Sequence, residues 1–306
     1  MQNDQLLLGI DLGGTAIKAV LTNPKGEVLD ETSTPTHDIP GQDNSKVWKA
    51  SIKKLIEDFQ LKYNDTIICT GISSPGTVQA NNRGVLSNGT KLLGIEGFVW
   101  KDYIGQDIYV LNDAHAALFA ESRLGAGRGY QDILMMTLGT GVGGGIMING
   151  ELLQGQKGRA GHIGHISVEQ DPLQGIVNTP GSLENAVGQG SLERRSYGRF
   201  KDTKTLVDAH LAGDTFATWV WLNSVQALAR GMVSFINVLS PAVIIIGGGI
   251  AKAEEHLMKP LHDFLDIYEW RPADFKTPIR MAELGNHAGA VGAALFALEK
   301  RTKSQA

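Results

Sequence analysis

The sequence predicts an α/β protein built from two duplicated domains that face one cleft, and three observations lead there. The 306-residue chain is long for a single hydrophobic core. Short apolar runs that end in glycines alternate with stretches of helical periodicity. One design also occurs twice: Leu12-Gly13-Gly14-Thr15 and Leu138-Gly139-Thr140-Gly141 hold the same place in two strand-turn-strand units about 126 residues apart.

In chain order, "LLLGID" from Leu6 to Asp11 is an apolar strand that runs into Gly13-Gly14. "AIKAVLTN", a "NPKG" turn and "EVLDETST" follow, which predicts three antiparallel strands joined by tight turns. Trp48, Ile52, Leu55, Ile56 and Phe59 recur at helical spacing behind Asn44 and Ser45, both suited to capping. "TIICTGIS" from Thr66 to Ser73 reads as a buried strand, and "DIYVLND" brings another to Asp113, where the helix "AHAALFAESRLG" begins. "DILMMTLGTGVGGGIMINGELL" repeats the opening design, with an Asn149-Gly150 hairpin turn. A long helix over 217–239 stops at Ser240-Pro241, then come the strand "AVIIIGGG" and a helix of small residues, "AGAVGAALFALEK". The expected division is a smaller domain over 1–112, a larger one over 113–287, and a C-terminal helix from about 288 to 306 packing back on the first.

Composition narrows the partners. The 28 basic and 32 acidic residues leave a net charge of −4, and no Lys/Arg run forms a nucleic-acid footprint, so no nucleic acid is expected. The single cysteine, Cys69, cannot close an internal disulfide, which fits a reducing compartment. The start "MQNDQLLLGID" lacks a basic region, and its apolar run is too short for a signal peptide or a membrane span. A cytoplasmic, soluble protein without a membrane partner is the expectation. The 38 glycines exceed the usual share of about 7% and gather in turns after apolar runs.

Those turns suggest chemistry. A stretch such as "DLGGT" lets unhindered backbone N–H groups approach phosphate oxygens, and Thr15 adds a hydroxyl; "GTGVGGG" offers the same. Two such turns facing each other could hold one nucleotide, although either alone reads most simply as a hairpin. Neither contains GxxxxGK[ST], and the dinucleotide fingerprint is missing at the first turn. Asp11 ends its strand just before a phosphate-type turn, where a carboxylate repels phosphate unless a cation intervenes. It suits an outer partner of Mg²⁺, and an aspartate there forms turns about as often. Asp113 stands at a strand-to-helix junction, where a carboxylate can orient an alcohol and accept its proton. Asn112 offers a donor and an acceptor to a sugar hydroxyl pair, while an Asn-Asp pair before a helix also serves as a cap.

The strings "DLGGTAIK", "SSPGTV", "LNDAHAAL", "TLGTGVGGG", "GRAGHIGH", "GSLE" and "VIIIGGG" occur in the order found in the ROK family of bacterial sugar kinases and related repressors, and the chain resembles that family over nearly its whole length. The resemblance implies an actin/hexokinase-type (ribonuclease H-like) fold closing over ATP-Mg²⁺ and a hexose. It implies that Gly13, Gly14 and Thr15 form the first phosphate loop, Thr140 and Gly141 the second, and Gly247, Gly248 and Gly249 the turn beside the adenosine. It places Asn112, Asp113, His165 and Glu184 at the sugar, with Asp113 as base toward the 6-hydroxyl and Gly76 where the backbone approaches the sugar. The activity implied is glucokinase-like transfer from ATP to a hexose in a homodimer or homotetramer, with domain closure excluding water. A sugar-binding regulator without turnover is the alternative; another donor such as polyphosphate is a third reading.

Departures from the family pattern carry information. Where the family has GExGH this chain has "GHIGH", so His162 replaces a sugar-contacting glutamate. Where many members carry a CxCGxxGC zinc cluster, Gly175, Val177 and Ser182 stand at cysteine positions, so no structural zinc and no protein metal site are expected. His115 replaces a more usual asparagine. Family repressors carry an N-terminal helix-turn-helix; here the first strand begins at about residue six, so DNA binding is not expected. His162 and His165 leave three readings open: a shared metal, though no third ligand is evident nearby; ordinary loop histidines; or a sugar contact at His165 with His162 in the glutamate's place. The identity of the hexose is left open, with glucose the family's commonest.

Overall fold

Leu8, Ile10 and Leu12 alternate with Leu7, Gly9 and Asp11, so the first strand has two different faces and can bury both. The computed structural model describes residues 5–39, 41–63, 66–89, 91–170 and 179–305. Its elements run β1 (Leu6–Leu12), β2 (Ala16–Thr22), β3 (Val28–Pro35), α1 (Ser45–Lys62), β4 (Ile67–Ser74), β5 (Thr77–Val78), β6 (Val85–Ser87), α2 (Trp100–Ile104), β7 (Ile108–Asn112) and α3 (Asp113–Leu124). They continue with β8 (Ile133–Leu138), β9 (Val142–Ile148), β10 (Glu151–Leu152), α4 (Leu183–Val187), α5 (Leu192–Arg195), α6 (Thr203–Leu211), α7 (Thr215–Leu239), β11 (Val243–Gly247), α8 (Glu255–Tyr268), β12 (Ile279–Met281) and α9 (Ala288–Gln305).

The duplication seen in the sequence is a duplication of topology. Among the described residues one sheet has the order β3-β2-β1-β4-β7 and another β10-β9-β8-β11-β12. In each, a glycine turn joins two antiparallel strands, and the first of these pairs in parallel on its other edge: β1 with β2 and β4, β8 with β9 and β11. The chain divides into two compact units, Met1–Gly129 with Leu152–Ala160 and Glu283–Ala306, and Tyr130–Glu151 with Gly161–Ala282. The boundary expected after residue 112 therefore lies inside the first unit. The reason is α3, which stays with α9: Phe119 meets Phe296 edge to face at 5.5 Å between centroids.

In the first unit one face of the sheet is covered by α1, where Trp48, Ile52, Ile56 and Phe59 pack with Leu8, Ile10, Leu12 and Ile72. Neither Asn44 nor Ser45 caps this helix through its side chain. Asn44 Nδ2 donates to His37 O at 2.8 Å, and Asp43 Oδ1 accepts from Ser45 N at 2.9 Å. The other face receives α9 at backbone distance. Gly9 and Gly71 are register partners, and a Cβ on either would stand about 2 Å from a backbone oxygen of α9, Ala290 O and Ala293 O respectively. The buried Glu121 joins distant parts of this unit: Oε1 accepts from Glu283 N and Leu284 N, and Oε2 from Ala126 N, each at 2.8 Å. In the second unit α7 is the central core helix; Val220, Trp221, Val225 and Leu228 pack with Leu134, Met136, Ile244 and Ile246 of β8 and β11.

Because α9 touches the sheet through bare glycine backbone, Gly71→Ala should push the helix off its seat. A loss of about 1–3 kcal/mol is expected from overpacking, read as a lower urea midpoint. An unchanged midpoint would mean that α9 does not seat there.

Candidate active site

In open α/β sheets ligands gather outside the carboxyl ends of parallel strands, and the first unit places its sequence-predicted residues there. Asp11 ends β1, Ser73 and Ser74 end β4, and Asn112 ends β7, with Asp11 beside Ser73 and Ser74 beside Asn112 in register. Asp11 Oδ1 accepts from the Ser73 hydroxyl at 2.8 Å. Burial raises the Asp11 pKa, against the Ser73 hydrogen bond and the Lys18 charge. Gly289 in the first turn of α9 closes on the same carboxylate: a Cβ there would stand 3.0 Å from Asp11 Oδ1.

Asp113 opens α3, and its Oδ1 accepts from Ala114 N at 2.8 Å. Asp113 is exposed as a residue. Loss of hydration is the main force pushing its pKa up to about 6; the Asp11 charge adds to it, and the Ala114 N–H opposes it. Asn112 caps α3: Oδ1 accepts from Ala114 N at 3.0 Å and His115 N at 3.2 Å. Its Nδ2 donates to Gly76 O at 2.9 Å, so the side chain fixes the start of α3 against the 74–76 turn. Gly76 has φ +91°, and a Cβ there would stand 2.5 Å from Ser87 O, so the position requires glycine.

The two glycine turns share one hydrogen-bond plan. In the first, Gly13 N donates to Ala16 O, Gly13 O accepts the Thr36 hydroxyl at 2.6 Å, and Thr15 O accepts Thr36 N at 3.1 Å. In the second, Gly139 N donates to Gly141 O, Gly139 O accepts Gln189 N at 2.9 Å, and Thr140 O accepts Gly190 N at 2.8 Å. Among the described residues no acceptor meets the N–H groups of Gly14, Thr15, Thr140 or Gly141. Each turn therefore has two of its carbonyls tied back to a distant segment and keeps N–H donors that could serve an anion such as a phosphoryl group. Asp11 beside the first turn is a carboxylate that could serve a magnesium-bound phosphate chain.

Glu184, in the first turn of α4, lies against the second turn. Its Oε2 accepts from Val142 N at 3.1 Å, and a Cβ on Gly141 would stand 2.2 Å from that oxygen, so glycine at 141 makes room for the carboxylate. Gly247 to Gly249 follow β11. Gly248, at φ +94°, passes so close to the end of β8 that a Cβ would stand 2.3 Å from Leu138 O. This brings the 247–249 turn beside the 139–141 turn within the second unit.

His162 and His165 stack, with ring centroids 6.0 Å apart and an interplanar angle of 11°. Parallel stacked rings do not converge on one ion, and among the described residues no group of three or more His, Cys, Asp and Glu side chains could hold a metal. His165 is near Glu184 in the chain path, since Leu183 N donates to Ile166 O at 2.9 Å. His115 is buried, and its Nε2 lies 2.9 Å from Ala160 O. Ser182 caps α4 by accepting from Asn185 N at 3.2 Å; Gly175 and Val177 lie outside the described residues. Sequence reasoning missed Thr36, Ser73 and the 189–190 backbone, all of which position the turns or Asp11. Among the described residues no helix is long and apolar enough to cross a membrane.

The sequence pattern of the ROK family matches residues 7–300, and the chain belongs to that family. It is 31% identical to a glucokinase of Halalkalibacterium halodurans, over 95% of this chain and 94% of that one. It is similar in structure to a ROK hexokinase from Thermus thermophilus, with TM-score 0.85, 28% identity, and coverage of 98% of this chain and 100% of that one. A ROK family glucokinase from Streptomyces griseus in complex with glucose and AMPPNP gives TM-score 0.78 and 27% identity over 96% of this chain and 99% of that one. The fold is the actin/hexokinase-like fold of ROK sugar kinases.

Serine at 182 and the replacements at 175 and 177 leave zinc without its cysteine ligands. Purified, chelator-washed protein should hold well under one zinc per chain, and its Tm should not respond to chelator. A stoichiometric zinc that raises Tm would overturn this.

Proposed function

We propose that the protein is an ATP-dependent hexose kinase that transfers the γ-phosphoryl group to the 6-hydroxyl of a hexose. The observation that carries the reading is Asp113, a carboxylate opened to solvent at the end of β7 and pushed up to about 6. A base with a pKa near neutrality is matched to taking a proton from an alcohol as a bond to phosphorus forms. The glucokinase and hexokinase relatives support the substrate class, and the AMPPNP bound to one of them supports the donor.

In this reading Asp113 accepts the hydrogen bond of the 6-hydroxyl and aims its oxygen at the γ-phosphorus. As the O–P bond forms and the bond from the γ-phosphorus to the bridging oxygen breaks, the hydroxyl proton passes to the Asp113 carboxylate. Asn112 holds Asp113 at the helix start, and Gly76, Asn112, His162, His165 and Glu184 contact the sugar. The N–H donors of Gly14, Thr15, Thr140 and Gly141 take phosphate oxygens, Gly13 allows their approach, and Gly247 to Gly249 line the nucleoside. Magnesium, when bound with ATP, neutralises phosphate charge, and Asp11 is the residue that would hold it through its water shell. A regulator without turnover would have no use for a base poised near neutral pH.

Asp113→Asn keeps the shape and the contact to Ala114 N but removes the base. Its kcat should fall by on the order of 10²–10⁴-fold with sugar binding largely retained. In the parent enzyme kcat/KM should be full above about pH 7, halved at about pH 6 and approach a tenfold fall per unit below about pH 5, because the protonated carboxyl cannot accept a proton. Unchanged turnover in the variant, or a profile flat down to pH 5, would remove Asp113 from the mechanism.

His162 separates the possible hexoses. A neutral imidazole offers one donor and one acceptor where the family's glutamate only accepts. His162→Glu should therefore change the ranking of hexoses in an ADP-release assay. His162→Ala should raise the sugar KM by about tenfold, with little change in the ATP KM. If both variants leave ranking and KM unchanged, His162 is an ordinary loop histidine.

A further inference from the structure

The 139–141 turn keeps its shape only while its carbonyls are held, and what holds them is weak by itself. Gln189 N and Gly190 N supply the two bonds, and they come from a short segment that contains two glycines. Both glycines are there for proximity: a Cβ on Gly188 would stand 2.8 Å from Thr140 O, and one on Gly190 3.0 Å. A segment with so little side chain gains no packing of its own and is entropically costly to fix. Something else must fix it.

Arg195 does so from the far side. Nη2 donates to Val187 O at 3.2 Å and to Gly188 O at 3.0 Å, and Nε donates to Ser191 Oγ at 3.1 Å. The Ser191 hydroxyl in turn lies 2.7 Å from Asn185 O and 2.9 Å from Gly188 O. Nη1 donates to the Ser224 hydroxyl, on the buried side of α7. The planar guanidinium thus ties the glycine segment to the core helix of its unit, a fork that a lysine's single nitrogen cannot reproduce. Burial pulls its pKa down to about 10, against the pull of Glu169, so it is still a cation at neutral pH.

We infer that Arg195 is a positioning residue for the phosphoryl donor: it braces the 187–191 segment, and that segment holds the 139–141 turn with its N–H groups toward the phosphates. The inference rests on the reading of that turn as a nucleotide loop. Arg195 itself contacts neither substrate, so its loss should act on the nucleotide and spare the sugar.

The test compares Arg195→Met, Arg195→Lys and Ser224→Ala with Thr140→Val, measuring ATP KM, kcat at saturating ATP, and sugar Kd without nucleotide. Arg195→Met should raise the ATP KM by about tenfold or more, with sugar Kd within about twofold of the parent. Arg195→Lys should fall between, and Ser224→Ala should show the same selectivity at about threefold. If Arg195→Met does not fold, Ser224→Ala decides the matter, since it removes the anchor with little change in volume. ATP KM and sugar Kd rising together would mean general loosening and would overturn the inference. So would a normal ATP KM in the Arg195 and Ser224 variants while Thr140→Val raises it. If Thr140→Val also leaves the ATP KM unchanged, the Thr140 and Gly141 amides decide: no shift when AMPPNP and Mg²⁺ bind means that the nucleotide reading of the turn fails, and a shift with a normal ATP KM in the Arg195 variants overturns the inference.

Discussion

In both glycine turns two carbonyl oxygens are bonded to a distant segment of the same unit, and this constraint bears on what the turns can bind. A turn left to itself presents carbonyls and N–H groups alike, and an anion gains little from the mixture. Here Thr36 takes Gly13 O and Thr15 O, while Gln189 and Gly190 take Gly139 O and Thr140 O. The repulsive dipoles are turned away from the anion and the attractive ones kept for it. That arrangement appears in both copies of a duplicated topology, with different residues supplying the ties, and it supports the anion-binding role proposed for the pair of hairpins.

The carboxylates depend on the same architecture. Asp11 and Asp113 stand at the carboxyl ends of β1 and β7, with β4 between them supplying Ser73 to one and, through its final turn, Gly76 to the cap of the other. Loss of hydration, with a smaller part from the Asp11 charge, raises the cost of ionising Asp113, so the carboxyl proposed as the base is tuned by the same sheet edge that places it. That edge is held flat against α9 by Gly9 and Gly71, and α9 reaches Asp11 through Gly289. Stability and site geometry therefore share the small residues of one helix. Bulk at those glycines would move the carboxylates along with the core.

Much of this was legible in the sequence because it is local. Strand, glycine turn and hairpin lie within about twenty residues, so their repetition could be read directly, and so could the junction that carries Asp113. What was not legible comes from afar. Thr36 looks like any polar residue after a strand, and nothing in "GQGS" announces that its N–H groups bond a turn fifty residues earlier. Glu121 reads as part of a helix's solvent face, yet it is buried and accepts three backbone N–H groups. The expected boundary at 112 differs from the division into compact units for a related reason: the sequence shows where α3 starts but not that Phe119 and Ala116 pack on α9. Asp43 rather than Asn44 serves the start of α1 because the chain enters that helix already turned.

The central proposal is that each of these turns, through its backbone N–H groups, takes phosphate oxygens of the donor. Amide NMR of ¹⁵N-labelled protein titrated with AMPPNP and Mg²⁺ tests it most directly. The amides of Gly14, Thr15, Thr140 and Gly141 should show the largest downfield proton shifts, while Gly26 and Gly150, in plain hairpin turns, stay in place. Saturable binding that leaves those four amides unmoved would contradict the account.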